Sequence, residues 1–146
     1  MSEPTLPSES IKAIIITGLL GSATLTAAWA VYVSAEPPET PNAVITVYDT
    51  GGRDPDPKWK LDYPNVQIRV RGEKSAYSDA WIRTRKIRDL ILGSNPQVIG
   101  QWRWESFLVV GDVNFIAYDQ SRRPIFTINV RLIGEPLWTE PNRLTL

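Results

Sequence analysis

Neither cysteine nor histidine occurs among the 146 residues. Without cysteine there is no disulfide framework and no thiolate metal site, a composition compatible with assembly in a reducing cytoplasm. Without histidine the chain lacks the commonest general base and the commonest metal ligand, so Ser-His hydrolysis and ordinary zinc chemistry have no residues to work with. Net charge is missing too. Sixteen basic and sixteen acidic side chains cancel, so no global field draws the protein to nucleic acid or anionic lipid, and any such attraction must be local. There is no internal repeat and no low-complexity tract.

A clean apolar run of membrane length is also lacking, although residues 13–35 come near to one. They carry no charged side chain, and by length they meet the ~20 residues a bilayer asks for. Thr17, Gly18, Gly21, Ser22, Thr24, Thr26 and Ser34 dilute the stretch below the hydropathy of a usual span. Residues 1–12 set Glu3 and Glu9 against the single Lys12, which is not the positive start of an export signal, although "AWA" and "VSA" imitate cleavage sites. The run divides better into a helix and a strand, with no membrane partner. Ser8 caps the helix with Glu9 in its first turn, and Ile11, Ile14, Ile15 and Leu19 recur at helical spacing until Gly18 and Gly21 end it. Trp29, Val31 and Val33 then alternate with Ala30, Tyr32 and Ser34, the period of a strand with one face on a core.

What is present is proline and tryptophan, 12 and six residues respectively. The prolines exceed the usual ~5% and imply ordered turns and stiff connectors. "EPPETP" is one such connector, because each proline fixes its own torsion and extends the residue before it. A strand is expected at 43–48, a loop with a "TGG" turn over 49–64, and a strictly alternating strand at 65–71 with Val66, Ile68 and Val70 inward. Residues 75–92 read as the clearest helix. Tyr77, Ala80, Trp81, Thr84, Ile87, Leu90 and Ile91 lie on its apolar stripe, Ser75 is a cap and Gly93 its close. The remainder reads as a meander: 101–110, a "GD" turn, 113–118, a "DQSRR" turn, then 124–133. Together these elements predict one α+β domain over 1–146, a mostly antiparallel sheet with one long and one short helix packed on one face. Residues 1–8 are expected as a flexible N-terminus and 134–146 as a C-terminal tail.

Chemistry-bearing patterns are sparse. "TGGRD" has no Lys-Ser or Lys-Thr and no helix start, so it reads as a turn rather than a phosphate loop. Asp54 and Asp56 lack the other ligand positions of a calcium loop, and with Glu105 they form no carboxylate pair with a readable spacing for hydrolysis. No cofactor, metal or catalytic residue is expected. Arg69, Arg71, Arg83, Arg85, Lys86 and Arg88 concentrate positive charge on a strand and on the long helix. They fit either solvated faces or a surface beside a phosphate backbone. Trp102 and Trp104 point to one side of a strand and fit a core or a subunit interface better than a sugar platform.

"VYDTGG", "PNVQIRVRGEKSAYSDAWIRTRKIRDLILG" and "GDVNFIAYDQSRRPIFTINVRLI", in this order, resemble the tail terminator (tail completion, minor capsid) proteins of tailed bacteriophages. The likeness runs from Val47 to Ile133. It rests on Gly51 and Gly52, the strand from Pro64 to Gly72, Tyr77 with Ala80, and Asp119, Arg123, Pro124 and Asn129. The resemblance implies a structural virion protein, assembled in the host cytoplasm, that forms a six-fold ring at the head-proximal end of the tail tube. Such a ring ends tube growth and joins the tail to the head connector. Implied partners are other copies of the chain, the tail tube protein, a head-closure or connector protein, and DNA sliding through the lumen. On this reading Arg69 and Arg71 line the channel, while Arg83, Arg85, Lys86 and Arg88 face outward or into an interface. Asp49, Thr50, Gly51, Gly52, Arg53, Asp119, Arg122 and Arg123 contact neighbouring subunits or the tube. Another neck protein and an exported envelope-associated binding domain stand as the alternatives.

Overall fold

A computed structural model describes residues 4–20, 30–56 and 60–138. Eight elements follow in order: α1 (Pro7–Leu20), β1 (Ala30–Val33), β2 (Val44–Arg53), β3 (Tyr63–Arg71), α2 (Tyr77–Leu92), β4 (Gln97–Ile99), β5 (Trp102–Tyr118) and β6 (Pro124–Pro136). The strands make one sheet in the order β1-β2-β3-β6-β5-β4. β1 lies parallel to β2, and every other neighbouring pair is antiparallel. Both helices pack on one face, α1 over β1 and β2, α2 over β5 and β6. The architecture is the expected α+β domain.

Alternation builds the core. Ile45 and Val47 of β2, Val66, Ile68 and Val70 of β3, and Phe126, Ile128, Val130 and Leu132 of β6 turn to the helix face and are buried. Ile11, Ile14 and Ile15 of α1 and Ala80, Thr84, Ile87 and Ile91 of α2 meet them; the side chain of Leu19 lies outside the described residues. Each such aliphatic side chain contributes about 1.5–3 kcal/mol on full burial. Trp102 and Trp104 stack at 4.5 Å between ring centroids within this core. Gly134 faces Trp104, and a Cβ there would collide with the indole, so this glycine lets the ring lie flat on β6.

The opposite face is covered at one end. Val44, Thr46, Arg71, Ile125 and Thr127 are buried there, against the connector that carries the expected "EPPETP". A cis Thr40–Pro41 bond lies within it.

Several expectations change. The "TGG" segment is not a turn: β2 continues through it, pairing Gly52 with Pro64 and Arg53 with Tyr63 across an irregularity between Asp49 and Gly52. Gly51 and Gly52 have φ of 85° and 156°, so a bulge absorbs the twist that a loop was expected to take. The "GD" pair is likewise no hairpin. β5 is one strand, and Val110 faces Asn129 while Asn114 faces Thr127. The residues between are a bulge with Gly111 at φ 74°, because β6 is long enough to pair with both halves. β6 also runs to Pro136, so the expected tail begins inside the sheet, with Asp62 bridged to Gly134. α2 starts at Tyr77, and its N-cap is Ala76 with no side-chain cap bond. Ser75 instead has φ 58°, a turn conformation rather than a cap. At the N-terminus Thr5 accepts a hydrogen bond from Trp102 Nε1 at 2.9 Å. Residues 21–29, among them Trp29 of the expected strand, and residues 139–146 lie outside the described residues.

Candidate assembly interface

Side chains singled out for charge fall into two groups, those tied into the fold and those left at the surface. Arg71 is tied. It is 2% exposed, and its Nε and Nη2 donate to the carbonyls of Asn42 and Pro41 at 3.0 and 2.7 Å. Nη1 lies 3.6 Å from Glu36. Burial lowers its pKa from the usual arginine value, and Glu36 opposes that shift. Arg69, two residues earlier on the same face, keeps a 36% exposed side chain and pairs with Glu36 at 3.4 Å. The expectation of two water-facing strand arginines is therefore corrected to one, because the connector lies over Arg71.

Arg123 is tied still more firmly. Its guanidinium donates to Asp119 Oδ2 at 2.7 Å, to the carbonyls of Pro38 and Glu39 at 2.8 Å each, and to Asn42 Oδ1 at 3.3 Å. Asp119 Oδ1 accepts the backbone N–H groups of Ser121 and Arg123. Burial alone would raise the Asp119 carboxyl, but these hydrogen bonds hold it below the usual carboxylate range. The β5–β6 turn thus clasps the connector between β1 and β2. Asp119 and Arg123 fold that turn, while the neighbouring Arg122, at φ 63°, is exposed.

On α2 the basic set divides. Arg85 and Lys86 are exposed, and Arg85 lies 5.8 Å above the Trp81 ring. Arg88 bridges Asp89 and Asp112 at 2.9 and 2.7 Å, which ties the helix to the β5 bulge. Hydrogen bonding to Asp89 and Asp112 raises its pKa. Arg83, expected on the outer side, is 7% exposed. Burial lowers its pKa and Asp79 opposes the shift. It lies one residue before Thr84 on the turn that packs down, so its stem belongs to the core face. Tyr77 and Trp81, expected on the buried stripe, are 41% and 39% exposed, since the sheet leaves the first turns of α2 partly uncovered.

The tip of β2 is built differently from the clasp. Asp49 accepts Ser8 N at 3.0 Å and Ser8 Oγ at 2.5 Å, so its carboxylate sits at the positive end of α1 and satisfies an orphan N–H there. Thr50, Gly51, Gly52 and Arg53 are exposed, and Arg53 stacks on the Tyr63 ring at 4.2 Å. Two grooves flank this tip. One of about 350 Å³ is lined by Arg53, Tyr63, Asn65, Leu108, Arg131 and Ile133. The other, of about 380 Å³, is lined by Pro7, Pro55, Pro64, Trp102 and Trp138. Sequence reasoning missed these grooves, since the contributing strands are brought together only by the sheet.

Among the described residues no three acidic side chains come together as a metal site, and no helix is long and apolar enough to cross a membrane. Arg71, Arg88 and Arg123 hold the fold together, while Arg53, Arg85, Lys86 and Arg122 stay at the surface, beside exposed loops, grooves and sheet edges. These features define an α+β domain with exposed loops, surface grooves and open sheet edges.

The family model described as "Bacteriophage tail terminator protein" matches residues 18–136, and the chain belongs to that family. Comparison with curated proteins gives no match. The matched region contains the expected stretch from Val47 to Ile133 and extends it to the end of α1. Tail terminators are structural proteins, so the chain is a component of the phage tail.

Proposed function

We propose that the protein forms a six-fold ring on the head-proximal end of the tail tube, ends tube growth and presents a docking surface to the head connector. Family membership supports the terminator role. The observation that carries the ring is the asymmetry of the sheet: it ends in the four-residue β1 on one side and in the long β5 with the short β4 on the other. Unlike edges favour head-to-tail contact between copies, and head-to-tail contacts give a ring when the rotation between copies closes on itself. The exposed tip from Thr50 to Arg53, with its two grooves, is the surface offered to the tube or connector.

Phage DNA passes the lumen without sequence-specific contacts. We assign Arg69 to the lumen, a reading supported by the exposed part its side chain keeps on the face away from the helices. Arg69→Glu is expected to lower DNA retention and infectivity more than Arg85→Glu; the reverse order overturns that placement.

The ring itself is tested by light scattering of the purified protein with and without tail tubes, followed by imaging. A six-fold ring, alone or on tube ends, is the expected result. A protein that stays monomeric and ignores tubes refutes the reading.

A further inference from the structure

The end of the molecule formed by the distal half of β5 and the first turns of α2 carries an apolar patch. Tyr77, Trp81, Ile82, Phe115, Ile116 and Tyr118 are each 37–52% exposed. The Tyr77 ring lies 5.1 Å from Phe115 and 6.5 Å from Tyr118, and Phe115 lies 5.4 Å from Tyr118. Single exposed apolar side chains are ordinary, whereas a contiguous patch of several hundred Å² marks a contact surface.

The strand beneath this patch is open. β4 pairs with β5 only at Trp102, Arg103 and Trp104, so among the described residues no strand meets the outer edge of 105–118. This edge holds no lysine and no proline, and Asp112 is occupied by Arg88. Residues 113–118 are uncharged. Bulges interrupt β5 between Val110 and Asn114 and between Phe115 and Ala117, but among the described residues no lysine, proline or covering strand guards the paired stretches between them, and an edge left open in this way is a template for another strand.

The opposite end of the sheet offers one. β1, with the sequence AVYV, is uncharged and half-buried, and among the described residues its outer edge carries no strand. Resting on the ring reading above, we propose that β1 of one copy adds to the distal half of β5 of the next, with the aromatic patch closing over the joint. Charge selects this occupant, because a strand with charged side chains would bury them unpaired against Phe115 and Ile116. Geometry selects it too: the two open edges are unlike and lie at opposite ends, so every copy uses both. Main-chain hydrogen bonds supply the affinity and the aromatic side chains the register. Size agrees in direction, since six large apolar side chains, each 37–52% exposed, add their area to the strand contact, towards the roughly 800 Å² per partner that a stable interface buries.

The absence of cysteine makes the test clean. Tyr32→Cys on β1 is combined in one chain with Ile116→Cys, or in a parallel variant with Val110→Cys, and assembled rings are treated with a short bismaleimide. Tyr32→Cys with Lys86→Cys is the control, and each single variant is run alongside. The expected result is a ladder of covalent oligomers from a β1–β5 pair, about tenfold above the control, from chains whose thermal melts match the unsubstituted protein. Rings that give no ladder from either β1–β5 pair overturn the strand addition and leave the ring reading standing. A cross-link from Ile116→Cys alone also overturns it, by showing β5 against β5. Absence of rings under every condition overturns the ring reading, and the strand addition with it.

Discussion

Replacing Arg123 by methionine removes the clasp while keeping most of the side-chain volume. The guanidinium makes four hydrogen bonds, to Asp119, Pro38, Glu39 and Asn42, and is 6% exposed. Removing one partner of a buried ion pair costs about 3–5 kcal/mol, because the other charge is left without compensation. Asp119 retains 20% exposure of its side chain and two backbone donors, which places the loss at the lower end, about 3 kcal/mol. At about 2–4 °C per kcal/mol for a domain of this size, the Tm falls by about 6–12 °C. Pairing with Asp119→Asn in a double-mutant cycle separates the ion pair from general loss of packing, with an expected coupling above about 1 kcal/mol. The pH dependence follows from the sign of the shift. Asp119 titrates lower in the folded state, so its contribution is present above the unfolded carboxyl value near ~3.9 and is lost as the pH falls through the folded one. The unsubstituted protein therefore loses more stability on acidification than Arg123→Met does. A melt within about 2 °C of the unsubstituted protein, or an Asp119→Asn cost unchanged in the variant background, would refute the reasoning.

Gly134→Ala forces a methyl into the Trp104 ring and is expected to cost about 1–3 kcal/mol by chemical denaturation, with a shift in tryptophan emission; unchanged emission and stability would contradict the stacked arrangement. Asp49→Ala removes the acceptor for Ser8 and is expected to cost about 0.5–2 kcal/mol, with faster hydrogen exchange in the first turn of α1. Gly52→Ala meets both a φ of 156° and the carbonyl of Tyr63, so it should loosen the β2 tip and weaken binding to tube ends while ring formation persists. Equal loss of rings would instead place the tip between subunits.

Alternation and helical spacing carried most of the fold. The buried Val66, Ile68 and Val70 and the Ile87–Ile91 stripe were legible because each residue's neighbours along the chain set which face it shows. The charges that cancel overall were equally a property of the chain itself, as were the ordered motifs from Val47 to Ile133, which lie within the region that the family model matches. What the chain alone did not determine was how long its strands run and where its arginines point. Gly51, Gly52 and Gly111 read locally as turns, and only the presence of β3 and β6 as pairing partners turns them into bulges in continuous strands. Arg71, Arg83 and Arg123 read locally as surface charge. All three are buried; for Arg71 and Arg123 the distant connector supplies the carbonyls that receive the guanidinium, and charge enters an interior only where such partners converge. The open β5 edge was hidden for the same reason: whether a strand has a neighbour is decided by the sheet, not by the strand.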